Sequence, residues 1–113
     1  MDIKTISLWV CIIIVVLSSI FFGIQKIRES EVMWTNFSRW GYSKLFMKVL
    51  GVVEIAIAIG LLFQQTRMCS IYVYGIIVVG AIGTHLKAKD KMQDQLPPVF
   101  MLGLLVAIYL LNA

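Results

Sequence analysis

Residues 49–65 are apolar almost throughout, and a single carboxylate, Glu54, interrupts them. With its uncharged flanks the run is long enough to cross a bilayer as a helix, a setting in which an ionised side chain is costly unless it is paired. The rest of the chain therefore has to supply company for Glu54.

Composition points the same way. Of 113 residues, 60% are hydrophobic and only 14% charged, more apolar surface than a small soluble domain can hide in its interior. Lipid is the solvent that resolves the excess. The net charge of +4 does not form a nucleic-acid face, because the basic residues fall between apolar runs rather than along one surface.

Taken in order, the chain predicts four long helices. The first covers about residues 5–25, free of charge; its Ile/Val-rich middle would suit a strand in water, but an open strand in lipid leaves backbone groups unpaired. Residues 30–43 are amphipathic. Trp34, Phe37, Trp40 and Tyr42 suit a short helix lying in the interface as aromatic anchors, and Gly41 suits its end. The second long helix runs over about 44–65, with Lys44 and Lys48 snorkelling from its start. A polar turn at 64–67 leads to the third, about 68–87. After a charged loop at 87–95, Pro97 and Pro98 open the fourth, about 96–112. The fold class is thus all-α: one domain over residues 1–113, an integral membrane four-helix bundle with an interfacial helix in its first loop.

Small residues mark packing faces. Gly51 lies on the face of Glu54; Ala56 with Gly60, and Gly80 with Thr84, make small-xxx-small pairs, and Ala81 lies beside the second of these. Glycine faces also leave a homo-oligomer open. Orientation follows from charge: Lys26, Arg28, Arg39, Lys44, Lys48, Lys87, Lys89 and Lys91 border loops one and three, against Lys4 and Arg67 on the other side. The positive-inside rule puts those two loops in the cytoplasm and both termini outside, in a plasma membrane of bacterial type. Cys11 and Cys69 form no metal or CxxC pattern and read as apolar fillers, although this topology leaves them on the same side of the bilayer. The first apolar run is too long for a signal peptide and is followed by Phe21 and Phe22 rather than a small-residue cleavage pattern.

In this topology Lys26 and His85 approach one side of the membrane and Glu54 lies deeper, with Tyr74 and Thr84 able to add hydroxyls. Two readings stand side by side. Lys26, Glu54, Tyr74, Thr84 and His85 could bind a polar head group or relay a proton, or they could form a satisfied clasp between helices. No catalytic or metal motif occurs, and one histidine cannot provide bis-histidine haem ligation.

The fragments Phe22-Gly23-x-x-Lys26, Asn36-Phe37 with Gly41-Tyr42, Gly51-x-x-Glu54 with Gly60-Leu61-Leu62, and Gly80-Ala81-x-x-Thr84-His85 together resemble the DoxX-like family of small four-helix membrane proteins. The resemblance implies a single bundle with recurrent polar positions at Lys26, Glu54 and His85. Gln64 and Gln65 stand where many relatives have a proline. Within the family one member is associated with a sulfur-compound oxidoreductase that passes electrons to quinone, and some animal relatives are assembly factors for membrane receptors. The expectation is a protein that binds a lipid-like or quinone-like ligand or supports a membrane redox complex as a non-catalytic subunit. The alternative is an assembly or structural factor for another membrane protein. Membrane lipid is the expected partner, nucleic acid is not, and no bound cofactor is identified beyond a quinone or lipid.

Overall fold

Helix ends in this chain are made by side chains and backbone caps, and they set the element boundaries. The structure, a computed structural model, describes residues 2–112, apart from the side chains of residues 92–94. Among these residues five helices follow one another: α1 (Ile3–Ile27), α2 (Glu31–Arg39), α3 (Lys44–Leu61), α4 (Gln64–Lys87) and α5 (Met92–Asn112). There is no strand among the described residues. Asp2 caps α1 by accepting the Thr5 N–H at 2.8 Å, so the helix begins ahead of residue 5. Ser30 and Ser43 cap α2 and α3 in the same way.

Three helices end in one backbone motif. Glu29, Gly41 and Lys89 adopt positive φ, and Ser30, Tyr42 and Asp90 donate their N–H groups back to the carbonyls of Gln25, Phe37 and His85. This is the Schellman cap, and only one of the three carries the glycine that announces it in a sequence. The turn between α3 and α4 falls at Leu62 and Phe63 rather than at 64–67. Thr66 and Arg67 belong to the first turn of α4 and fold back, donating to the carbonyls of Gly60 at 2.6 Å and Leu61 at 2.9 Å. These side chains satisfy carbonyls that a helix end leaves open. α5 also starts early, at Met92, which puts Pro97 and Pro98 inside it.

α1 packs against α3 and α5, and α4 packs against the same two, so α1 and α4 lie on a diagonal. α2 rests mainly on α3. The apolar core, with Leu8, Ile12, Val15, Ile57, Leu61, Ile71, Val78, Leu105 and Ile108, fills the half nearest the chain ends. Arg67 locks that end: Nη1 donates to Asn112 Oδ1 at 2.9 Å, and the guanidinium stacks 5.2 Å from the Trp9 ring centre. Outside, Ile13, Leu17, Phe21, Ile76, Val79, Val106 and Leu110 are exposed, as a lipid-solvated surface requires. Among the described residues three helices, α1, α4 and residues 95–112 of α5, are long and apolar enough to cross a membrane.

Gly23 and Gly51 allow the closest approach of α1 to α3. A Cβ on Gly51 would stand 2.6 Å from the Gly23 carbonyl oxygen, and one on Gly23 would stand 2.7 Å from Ile55. Gly60 packs on Ser70 of α4. The other expected packing positions differ. Ala56 faces outward and exposed, and a Cβ on Gly80 would meet nothing within 4 Å. Gly80, Ala81 and Thr84 border open space instead.

Candidate functional site

The half of the molecule opposite the packed core is hollow. A cavity of about 520 Å³ lies between the ends of α1 and α4 and the starts of α3 and α5, with α2 across it. Its walls include Lys26, Glu54, Thr84 and His85, four of the five residues singled out from sequence. Pro97 and Pro98 line it from α5, and Phe22, Leu50 and Ile77 supply apolar wall.

Lys26 and Glu54 form the polar centre. The Lys26 ammonium stands 2.9 Å from Glu54 Oε1 and 3.1 Å from Oε2, with the side chains 10% and 9% exposed. Gly51 explains how they meet. The place where its Cβ would stand is 3.0 Å from the Lys26 Cβ, so the lysine stem crosses α3 where that helix has no side chain. One turn further along α3, Glu54 receives the ammonium. A buried carboxylate is tolerable when a cation satisfies both oxygens, and Lys26 does so.

Tyr74 has a separate role. Its hydroxyl lies 2.5 Å from Ser19 Oγ, both residues being buried, and it is not part of the cavity wall. α1 and α4 are diagonal, so the length of the tyrosine is what carries a hydrogen bond across the centre. Ser19 was not anticipated, although Ser19, Gly23 and Lys26 fall four and three apart and share one face of α1.

Behind His85 and Trp40 of the cavity wall, Asp90 gathers three donors. Its carboxylate accepts from Arg39 Nη1, from Trp40 Nε1 at 3.3 Å and from His85 Nδ1 at 2.6 Å, and its side chain is 4% exposed. The Schellman turn at Lys89 folds Asp90 back over His85. Hydrogen bonding from Arg39, aided by His85 and Trp40, holds the Asp90 carboxyl down at about 2. The interaction ties α2 to the end of α4. From sequence Asp90 is one acid in a basic loop, and nothing but the helix end preceding it hints at its position.

The expected interfacial anchors divide. Phe37, Trp40 and Tyr42 turn onto the cavity: Phe37 is buried with ring centres 5.3 Å from Trp40 and 5.9 Å from Tyr42, and Trp40 meets the His85 ring edge-on at 4.9 Å. Trp34 stands apart, under the Lys44 ammonium at 5.2 Å. The amphipathic pattern of residues 30–43 puts Trp34, Phe37 and Trp40 on one face, whereas Trp34 lies away from the cavity that Phe37 and Trp40 line; the pattern carries no signal of whether lipid or cavity lies against it. Cys11 is half-buried and Cys69 exposed, both as free thiols.

The polar residues on this cavity are those of the recurring fragments Phe22-Gly23-x-x-Lys26, Gly51-x-x-Glu54 and Gly80-Ala81-x-x-Thr84-His85. A model of the DoxX-like family matches residues 10–108. The chain belongs to the DoxX-like family. Together with the three apolar helices, membership identifies an integral membrane protein. No curated protein and no solved structure matches the chain. Among the described residues no cluster of His, Cys, Asp and Glu could hold a metal ion. The polar groups on the cavity are an ammonium, a carboxylate, an imidazole, hydroxyls and an amide, a chemistry suited to an organic head group.

Proposed function

We propose that this DoxX-like protein holds the head of a lipid-like or quinone-like amphiphile in the cavity, at Lys26 and Glu54, either on its own account or as the non-catalytic subunit of a membrane redox complex. The observation that carries the reading is a buried ion pair set in the wall of a cavity of about 520 Å³ rather than in a packed core. A clasp whose only task was to join helices would have no need of adjoining space. The Lys26 ammonium has three N–H donors and gives two contacts to Glu54, and Asn36 adds an amide to the same wall. Phe22, Val32, Met33, Leu50 and Ile77 supply apolar contact for a ring or chain.

In this reading α3 crosses the membrane with α1, α4 and α5, and α2 lies at the interface as the cover of the site. Its ion pair is what lets α3, which carries Lys44, Lys48 and Glu54, stay in the bilayer. Loops one and three face the cytoplasm of a bacterial-type plasma membrane and both termini face out, as the distribution of basic residues indicates. Electron transfer to a quinone would need a redox partner, since this chain's own residues supply binding and proton positions only.

The test is extraction from host membranes into lipid nanodiscs, followed by mass spectrometry of the small molecules retained. The expected result is a stoichiometric amphiphile in the wild type, lost from the Lys26→Met/Glu54→Leu double variant although that variant stays folded. Retention of the same molecules by the double variant would reject the site. Stoichiometric recovery of a larger membrane protein, unaffected by the double variant and with no amphiphile, would establish the assembly-factor alternative.

A further inference from the structure

Two proton counts on the cavity wall, at His85 and at Thr84, bear on what kind of head group fits there. The first concerns His85. Asp90 is ionised at any pH near neutrality, because Arg39 and Trp40 also donate to it, so the 2.6 Å contact from His85 Nδ1 requires a proton on Nδ1. In the neutral ring Nε2 then carries a lone pair. Among the described residues nothing hydrogen-bonds to Nε2. His85 lines the cavity and Asp90 does not, so the ring stands between the carboxylate and the open space.

The second count concerns Thr84 and Tyr42. Thr84 gives its single hydroxyl proton to the Gly80 carbonyl at 3.0 Å, so in the 2.9 Å contact with Tyr42 the tyrosine is the donor. Both hydroxyl protons are thereby used within the protein, and what these two oxygens have left to offer is acceptor capacity. Thr84 and His85 are neighbours on the wall, which makes this end of the cavity rich in acceptors.

We propose that Asp90 is a positioning residue that fixes His85 as its Nδ1–H tautomer, so that Nε2 accepts a hydrogen bond and selects amphiphiles whose head group donates a hydroxyl. This deepens the amphiphile reading and rests on it for the ligand, though the tautomer itself does not. A phenol-type head satisfies the site; the corresponding ether, with the same oxygen and no proton, sets a lone pair against a lone pair.

The chain has one histidine, so its imidazole nitrogens can be observed without ambiguity. The experiment uses full-length protein labelled with 15N-histidine in lipid nanodiscs at pH 8, above the ordinary imidazole range. Binding of 4-dodecylphenol and 4-dodecylanisole is measured on the same samples. Wild type is expected to show the proton on Nδ1 and to bind the phenol about tenfold more tightly, the worth of one hydrogen bond. Asp90→Asn can turn an amide N–H toward Nδ1, which moves the proton to Nε2 and is expected to abolish or reverse the preference. A loss of structure alone would lower both affinities together, whereas the shifted proton lowers phenol binding and spares the anisole.

A wild-type ring protonated at Nε2 overturns the proposal whatever the variant does. Equal affinity of the wild type for the two probes overturns it as well, while leaving the amphiphile site standing. Failure of the wild type to bind either probe overturns the selection and counts against the amphiphile site itself. Binding of both probes that survives Lys26→Met/Glu54→Leu counts against that site alone.

Discussion

Lys26 and Glu54 each depend on the other for their burial. Removing one member leaves the other charged, enclosed and unpaired, at a cost of about 3–5 kcal/mol, whereas replacing both with apolar groups of similar size is close to neutral. Glu54→Ala is therefore expected to lower thermal stability in detergent far more than Lys26→Met/Glu54→Leu. It should also cost more than His85→Ala, after which Asp90 still has Arg39 and Trp40 and the loss is about 1 kcal/mol. Equal melting of Glu54→Ala and His85→Ala would reject this ranking. The glycines give a second contrast. Gly51→Ala places a methyl 2.6 Å from a backbone oxygen and 3.0 Å from the Lys26 stem, and should cost about 1–3 kcal/mol as overpacking. Gly80→Ala, beside open space, should melt no lower than wild type. Glu54 stands out in the sequence because a charge within an apolar run has few acceptable fates, whereas Lys26 borders its run and is joined to Glu54 only by the fold. Ser19 was not, because a serine in a membrane helix can satisfy its hydroxyl in its own turn, and only Tyr74 decides otherwise.

At the scale of elements, the central tracts of the long helices follow from apolar runs that lipid permits only as helix, and their ends do not. The start of α1 depends on the Asp2 carboxylate, and the turn before α4 depends on Thr66 and Arg67 reaching back to α3. These contacts need the fold to exist before they can be seen. Asp90 is the strongest case: a loop residue becomes the joint between α2 and α4 through a left-handed Lys89 that no glycine signals. Its carboxyl lies at about 2, below the ordinary 3.8, so the joint adds stability in full above about pH 4. That contribution falls away as pH drops from about 4 to 2 and protonation removes the acceptor. Trp40 reports on it directly, since its ring donates to Asp90 and packs on His85. In a variant with Trp9→Phe and Trp34→Phe, Trp40 fluorescence is expected to shift toward the solvent-exposed value in that window. Asp90→Asn should lack the transition, and a wild-type signal that stays flat from pH 5 to 2 would show that the carboxylate does not hold α2.

At the scale of the whole molecule, the chain divides its length between a packed half and a hollow one. Toward the termini, aliphatic side chains from α1, α3, α4 and α5 meet, and Arg67 seals the end. Toward the loops, α4 presents Gly80 and Ala81, α5 presents prolines, and α2 supplies rings in place of core. The small residues that sequence reasoning assigned to tight packing on α4 are what keeps the space open; spacing alone does not distinguish a glycine that lets helices touch from one that leaves room. Filling the space separates ligand binding from stability. Ala81 is half-buried on the cavity wall, and Ala81→Phe would set a ring into volume that is already enclosed on several sides. Apolar burial there should leave the melting temperature equal to or above wild type, because no packed neighbour has to move. The same ring would occupy the place proposed for the amphiphile head and should lower its retention at least about tenfold, a steric penalty on the order of 1.4 kcal/mol or more. A variant that melts normally and keeps its amphiphile would mean that the ligand sits elsewhere. One that melts well below wild type would mean that the hollow half is more tightly packed around Ala81 than its open wall indicates.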